Sequence, residues 1–371
     1  MDFTLSEEQQ AVRELAAQIF QDHADVGRIK QIEAGEERID RDLWRALADA
    51  HLLAIALPEA DGGSGLGMIE TTLVLEQQGR AVSPVPYWAT IVCGALPIAE
   101  HGSPEQRQRL LPGIASGERF VTAALAEAGL NDPLRPCVRA TPDGQGWRLD
   151  GQKPSVPAGY VADVVLVPAT TDDGPRVFVV DAHTSGMSRE RAQTTDRSLV
   201  AHLTFDGAPA DMLGEGSDRA LPWMVDRALL GLAAMQIGVC EGALAMAAEY
   251  TNQRNQFGRP LASFQGAQIR AADAYIDTEA IRVTTLHAAW KLDAGRDATA
   301  EVLVAKWWAS EAGQHAVHNV QHLHGGMGAD VDYPVHRYFL WGKQIEDTLG
   351  GASAQLARLG REIALGEALK S

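Results

Sequence analysis

From about residue 221 onward the chain reads as helix almost without interruption, and this limits the fold more than any other feature. Leu229, Leu230, Leu232, Ala233, Met235, Gln236 and Val239 run on into Ala243, Met246, Ala247 and Tyr250 at helical spacing. Phe264 to Leu292 and Ala298 to Gln321 supply two more long helices. Helices of this length bury two or more faces, as in a four-helix bundle.

The remainder divides into two parts. Residues 1 to about 118 also read as helical. Ser6 with Gln9 forms a capping box, followed by Val12, Leu15, Ala16, Ile19 and Phe20 in register. Asp40 or Asp42 opens a second helix with Leu43, Trp44 and Leu47. Pro84 and Pro86 interrupt the helical pattern further on, and Ser103-Pro104-Glu105 starts another helix with Pro in its first turn. Asp61-Gly62-Gly63-Ser64-Gly65-Leu66-Gly67 lacks the preceding buried strand of a phosphate loop, so it reads as a connector. Near residue 119 the period changes. Phe120 to Leu125 is short and apolar. Trp147-Arg148-Leu149, Val164 to Val167, Val177 to Val180 and His202 to Phe205 read as strands, with Asp143-Gly144 and Asp150-Gly151 as turns. The expected fold is mainly α with a β-domain insert: an N-terminal helical domain (1–118), a middle β-domain (119–220) and a C-terminal helical bundle (221–371).

Composition excludes several roles. The net charge of −17 argues against nucleic acid or an anionic membrane as partner, because phosphate backbones require clustered Lys and Arg. It leaves open an anionic small ligand held by a few local cations or amides. No run of about 18 apolar residues is evident, and the first residues are acidic with no apolar signal core. A cytoplasmic protein is the expectation. The three cysteines are far apart and form neither a disulfide framework nor a zinc spacing. His318 and His322 stand one helical turn apart, with His324 beyond, but no acidic or Cys ligand lies alongside and no metal site is expected.

Two stretches carry the strongest signal. Arg254-Asn255-Gln256-Phe257-Gly258-Arg259-Pro260-Leu261 precedes Phe264-Gln265. His322-Leu323-His324-Gly325-Gly326-Met327-Gly328 leads into Asp332-Tyr333-Pro334-Val335-His336-Arg337. Together they resemble the C-terminal helical domain of the flavin-dependent acyl-CoA dehydrogenases, and the order of the three parts matches that family along essentially the whole chain. The resemblance implies FAD as cofactor and a CoA thioester as substrate. It also implies that Arg254 reaches the pyrophosphate of a neighbouring subunit's FAD, for which a bidentate guanidinium is suited. Gln256, Phe257 and Gln265 fall at cofactor-facing positions. His324-Gly325-Gly326 matches the segment whose backbone approaches the adenine half, with His322 where the family usually has Gln.

Other family positions have changed. The segment that lines the flavin corresponds to Ala126-Glu127-Ala128-Gly129-Leu130-Asn131-Asp132, where only the Glu is kept. The family's K-x-W-I-T reads Lys153-Pro154-Ser155-Val156-Pro157, so the ring-packing aromatic is Ser155 and the Thr is Pro157. The two usual places for the catalytic base hold Leu349 and Ala228. Of the carboxylates nearby in sequence (Asp226, Glu241, Glu346 and Asp347), Asp226 is the fallback base. This asymmetry resembles the base-lacking chain of the heteromeric α2β2 dehydrogenases of bacterial steroid side-chain degradation, in which a related chain supplies the base. Three readings follow from it: a non-catalytic partner subunit completing the FAD site of a related chain, acting on a CoA ester such as that of a steroid side chain; a self-sufficient dehydrogenase using Asp226; or a flavin-free scaffold.

Overall fold

The computed structural model describes residues 3–129, 132–144 and 146–366. Six α-helices come first: α1 (Glu7–Asp22), α2 (Val26–Ala34), α3 (Arg41–Asp49), α4 (Met68–Ala81), α5 (Leu96–His101) and α6 (Pro104–Ala115). Ser6 caps α1 and Ser103 caps α6, each through a reciprocal box with the Gln three residues on. Asp40 caps α3 through the Leu43 N–H at 3.0 Å. The helix α2 that precedes it was not expected, because its only buried residue is Ile29. The segment after Pro86 is a π-helix, Trp88–Ala95, buried at every position.

Among the described residues, seven strands form the β-part: β1 (Val121–Ala123), β2 (Arg139–Asp143), β3 (Gly146–Pro157), β4 (Val164–Thr171), β5 (Gly174–Asp181), β6 (Met187–Gln193) and β7 (Leu199–Met212). The pairings β4–β2–β3–β7–β5–β4 close into a ring, with β1 added on β4 and β6 on β7. Its interior is filled by Leu149, Val156, Val165, Val167, Phe178, Val180, Leu203 and Phe205. Asp143-Gly144 turns the β2–β3 hairpin, as expected. Asp150-Gly151 is not a turn between strands. It lies inside β3 at a break in the β3–β7 register, where Gly151 takes φ 133° against the backbone of Val138.

The last part begins with α7 (Ala220–Gln253), followed by a two-stranded hairpin of β8 (Asn255–Gln256) and β9 (Arg259–Pro260). Then come α8 (Gln265–Asp293), α9 (Thr299–His324), α10 (Val335–Asp347) and α11 (Ala352–Ala364). Helix α7 is long and apolar enough to cross a membrane by length and composition, which corrects the expectation that no such stretch exists. Burial accounts for it, since 78% of its apolar window is inside the protein.

By proximity the chain groups into two compact units that do not follow the three sequence segments. Met1–Ile29, Thr72–Ser83 and Leu229–Ser371 form one; Lys30–Thr71 and Pro84–Ala228 form the other. In the first unit, α4 lies on α7 through glycines. A Cβ at Gly238 would stand 1.8 Å from the Glu76 carbonyl oxygen, and one at Gly79 would stand 2.1 Å from that of Met235. Beside this contact Arg282 of α8 donates to Glu76 at 2.7 Å and to Glu241, and Arg80 donates to Glu241 at 3.2 Å. Burial pushes the Glu76 carboxyl up, and the Arg282 guanidinium acts against that. In the second unit, the amides of Asp61-to-Gly67 are spent inside the protein. Gly63 donates to Pro58, Ser64 to Ala54, Gly65 to Leu57 and Leu66 to Ile55, while Gly67 donates to Glu70 at 2.8 Å. No anion cradle remains there, in keeping with a connector.

Because the α4–α7 approach leaves no room for a methyl group, Gly238→Ala is expected to cost about 3 kcal/mol through backbone displacement. Urea unfolding of the purified variant measures it, as a lower midpoint at unchanged slope.

Candidate functional site

One pole of the first unit brings the two signature stretches together. A small apolar cluster does this: Ala243 and Ala247 of α7, Val320 and Leu323 of α9 and Val335 of α10, with Ala267 and Ala271 of α8 packed on them. The C-terminal ends of α7 and α9 and the N-terminal ends of α8 and α10 therefore converge.

Helix α7 stops at Gln253, and the Arg254 N–H still donates to the Tyr250 carbonyl at 2.8 Å. The hairpin follows at once. Phe257 (φ 53°) and Gly258 (φ 78°) are both left-handed, as a two-residue type I′ turn requires. Glycine adopts this freely, whereas a bulky side chain such as Phe257 rarely does. The turn lifts Phe257 clear of the protein, where it is 93% exposed, with its ring edge against Phe264 at 6.2 Å. Arg259 lies over the same Phe264 ring at 4.1 Å. The Leu261 N–H closes the loop on the Arg254 carbonyl at 2.9 Å. Arg254, Gln256 and Gln265 are all exposed, so a guanidinium and two amides stand outward beside the raised Phe.

The Gly-Gly stretch ends α9 at the same pole. Gly325 adopts φ 57° and ψ −133°, a conformation essentially restricted to glycine. Gly325 and Gly326 have open space where a Cβ would be, so their backbone is accessible, whereas a Cβ at Gly328 would meet the Gln321 carbonyl at 2.7 Å. His322 is exposed. The His324 side chain is turned inward. It is 2% exposed, its Nδ1 lies 2.8 Å from the Val320 carbonyl, and its ring stacks on Tyr250 at 4.7 Å. Burial holds its pKa below the ordinary histidine value, and because a carbonyl oxygen can only accept, the Nδ1–H is the donor. The sequence match could not reveal this orientation. His318 packs edge-on against Phe339 at 4.8 Å, and the three histidines of this stretch face different surroundings.

Leu349 follows the end of α10 in a left-handed turn, φ 58°. Lys306 of α9, fully buried, reaches that helix end and was not identified from sequence. Its Nζ donates to Ser310 Oγ (2.8 Å) and to the carbonyls of Ile345 (3.0 Å), Glu346 (2.9 Å) and Gly350 (3.3 Å). Burial pushes Lys306 down to about 7, against the pull of Glu346 and Asp347. The signal available was a lysine inside an apolar helical run. In the second unit Ala228 is fully buried, and its carbonyl accepts from Trp88 Nε1 at 2.9 Å. Asp226 is half-buried. Glu241 belongs to the Arg282 network, Glu346 pairs with Lys343 at 2.5 Å, and Asp347 is exposed.

Of the family's flavin-lining segment, Leu130 and Asn131 lie outside the described residues. Glu127 forms a fully buried ion pair with Lys153 and also accepts the Cys137 N–H at 3.2 Å. Burial pushes the Lys153 ammonium down while Glu127 pulls it back up. Ser155, left-handed at φ 49°, spends its N–H on His202 Nδ1 at 3.1 Å. The Pro157 carbonyl accepts from Thr122 Oγ1 at 2.6 Å.

A helical part, a strand ring and a terminal helical bundle in this order define the acyl-CoA dehydrogenase fold. Residues 6–118 match the family model for the acyl-CoA dehydrogenase N-terminal domain, and residues 220–363 match the one for its C-terminal domain. The chain belongs to the acyl-CoA dehydrogenase family, oxidoreductases that act on CH–CH groups and use flavin. It is 40% identical to acyl-CoA dehydrogenase FadE27 of Mycobacterium tuberculosis, over 98% of this chain and 99% of that one. Among solved structures it is similar to a chain of a variant of the Tcur3481-Tcur3483 steroid ACAD, with TM-score 0.94, 53% identity, and coverage of 98% and 100%. It is also similar to a chain of the ChsE4-ChsE5 complex from Mycobacterium tuberculosis, with TM-score 0.93, 42% identity, and coverage of 98% and 99%.

Lys306 gives a pH prediction. An unfolded lysine titrates near ~10.4, above the folded value of about 7. Between these values the unfolded chain binds more protons, so stability rises with pH across the window and falls as pH drops back toward 7. Its contribution from pH 7 to 9 is about 2 kcal/mol. Lys306→Met is expected to flatten that rise, read from chemical denaturation at a series of pH values.

Proposed function

We propose that this chain is the base-lacking subunit of a two-chain acyl-CoA dehydrogenase, completing the FAD site of a related catalytic chain. The observation that carries this reading is a mismatch between two sets of residues. The groups a subunit donates to its neighbour's cofactor are kept and displayed: Arg254, Gln256, Phe257 and Gln265 stand outward at one pole, and Gly325 and Gly326 offer open backbone there. The groups a subunit needs for its own flavin are missing. Oxidising a CoA thioester needs a base to take the proton next to the carbonyl and an acceptor for the hydride, and FAD supplies the acceptor in this family. Leu349 and Ala228 cannot accept a proton. Ser155 offers no aromatic face and its N–H is occupied, and Pro157 has neither hydroxyl nor N–H. The residues present fit the pyrophosphate and adenosine end of a cofactor held by another chain. They do not fit an isoalloxazine ring held by this one.

A companion chain is also supported by exposed apolar surface. Ile269, Ile276 and Val283 on the outer side of α8 are 53%, 63% and 47% exposed, seven residues apart, in addition to Phe257. The similarity to a chain of the ChsE4-ChsE5 complex favours a two-chain assembly, and that to a chain of a steroid ACAD favours a CoA ester with a bulky steroid-type acyl group as the substrate of the assembled enzyme.

Two measurements test this. Purified alone, the chain is expected to be colourless and inactive, and co-expression with a related dehydrogenase chain is expected to yield a yellow, active complex. Thioester turnover by the isolated chain would overturn the reading. In the complex, Arg254→Ala removes a charged contact worth about 1.5–3 kcal/mol, a roughly 10- to 150-fold loss of flavin affinity. Flavin absorbance per complex after dialysis measures it.

A further inference from the structure

The turn that carries Leu349 is built more heavily than a connection between two helices requires. Lys306 enters from α9, fully buried, and donates to the carbonyls of Ile345, Glu346 and Gly350. Gln355 enters from α11, also fully buried, and its Nε2 donates to the carbonyls of Leu349 at 3.0 Å and Gly350 at 2.8 Å. The turn adds bonds of its own: the Thr348 N–H donates to Gln344 at 3.0 Å and the Gly350 N–H to Asp347 at 3.1 Å. The last carbonyls of a helix have no intrahelical partner and carry the negative end of its dipole. A protonated Nζ is suited to them, since its three hydrogens can be shared among these carbonyls and Ser310 Oγ. Between Lys306 and Gln355, side chains from two other helices cover the helix end and both central peptide units of the turn.

We infer that Lys306 and Gln355 are positioning residues that preset the turn Thr348–Gly351, so that residue 349 is held in one backbone geometry whatever its side chain. Only the significance of position 349 as the family's base position rests on the reading above; the clamp itself is a matter of geometry. A left-handed Leu is strained, and it persists because its surroundings over-determine it. The chain thus keeps a holder for a base and places an inert side chain in it. What is missing at 349 is a carboxylate and not a structure to carry one.

A reporter at 349 tests this on the full-length chain. Cys93 and Cys240 are buried and Cys137 is exposed, so Leu349→Cys in a Cys137→Ser background gives one accessible thiol for a trifluoromethyl label. With Lys306 and Gln355 intact, fluorine NMR is expected to show a single resonance displaced from the free-solvent position. The shift should inflect near pH 7, where Lys306 titrates. Lys306→Met and Gln355→Leu are each expected to move the resonance to the solvent position, and Lys306→Met to abolish the inflection, while Cys93 and Cys240 stay unlabelled. That local pattern is one a general loss of stability would not produce. If Lys306→Met unfolds the chain and labels the buried thiols, Gln355→Leu decides. A solvent-like resonance with both residues intact, or a resonance unmoved by their removal, overturns the inference. A chain that proves yellow and active alone would overturn the partner-subunit reading and leave these spectra as they are.

Discussion

Packing of small side chains at one end of the terminal bundle is the constraint on which the candidate site depends. Ala243 and Ala247 let α9 come close to α7, and Val320, Leu323 and Val335 fill the space that results. Close approach of helices is set by the size of the side chains at the crossing. Larger residues at 243 or 247 would separate the helix that ends in the Arg254 hairpin from the helix that ends in Gly325. Tyr250 completes the join. Its ring stacks on His324, and its carbonyl takes the Arg254 N–H one turn later. Two motifs about seventy residues apart in sequence thus become one surface through a handful of apolar contacts. The function proposed for that surface uses residues that do not themselves hold it together.

Much of the fold could be read from the sequence because its signals are periodic or local. The capping box at Ser6, the helix start at Ser103-Pro104, the boundaries of α7, α8 and α9, and the apolar strands of the ring all follow from residue order and spacing. What was missed has physical reasons. Strand β6, Met187–Gln193, has no fully buried residue, because it lies at the edge of the sheet and pairs only with β7; its Ser-Arg-Glu-Arg pattern is that of a solvated edge. Strand β2 is short and half exposed. Asp150-Gly151 has the composition of a turn, but a bulge makes the same demand for a left-handed glycine. The π-helix at Trp88–Ala95 has no distinctive composition, since tertiary packing decides whether an apolar helix adds a residue to its turn.

The family resemblance singled out Arg254, Gln256, Phe257 and Gln265 as candidates, and all four are exposed, but residue order says nothing of side-chain orientation. It could not tell that His324 turns its ring inward while His322 faces solvent, because helix phase at a terminus depends on where the last turn tightens. It also could not reveal Lys306, whose partners are backbone carbonyls about forty residues away in sequence. Backbone acceptors leave no trace in residue types.

The Glu127–Lys153 pair sharpens the case for a lost flavin pocket over a merely diverged one. Both residues come from segments that line the cofactor in the resembled family, and both have been kept, yet they are fully buried against each other. Removing one partner of such a pair leaves an uncompensated charge inside the protein, at a cost of about 3–5 kcal/mol. The neighbouring positions, Ala126, Ser155 and Pro157, answer to no such penalty. Selection for folding alone would therefore preserve Glu127 and Lys153 and release the others. An intact ion pair at Glu127 and Lys153 beside Ala126, Ser155 and Pro157 is the pattern that the proposed reading, a domain kept for its shape without a ring site of its own, leads one to expect.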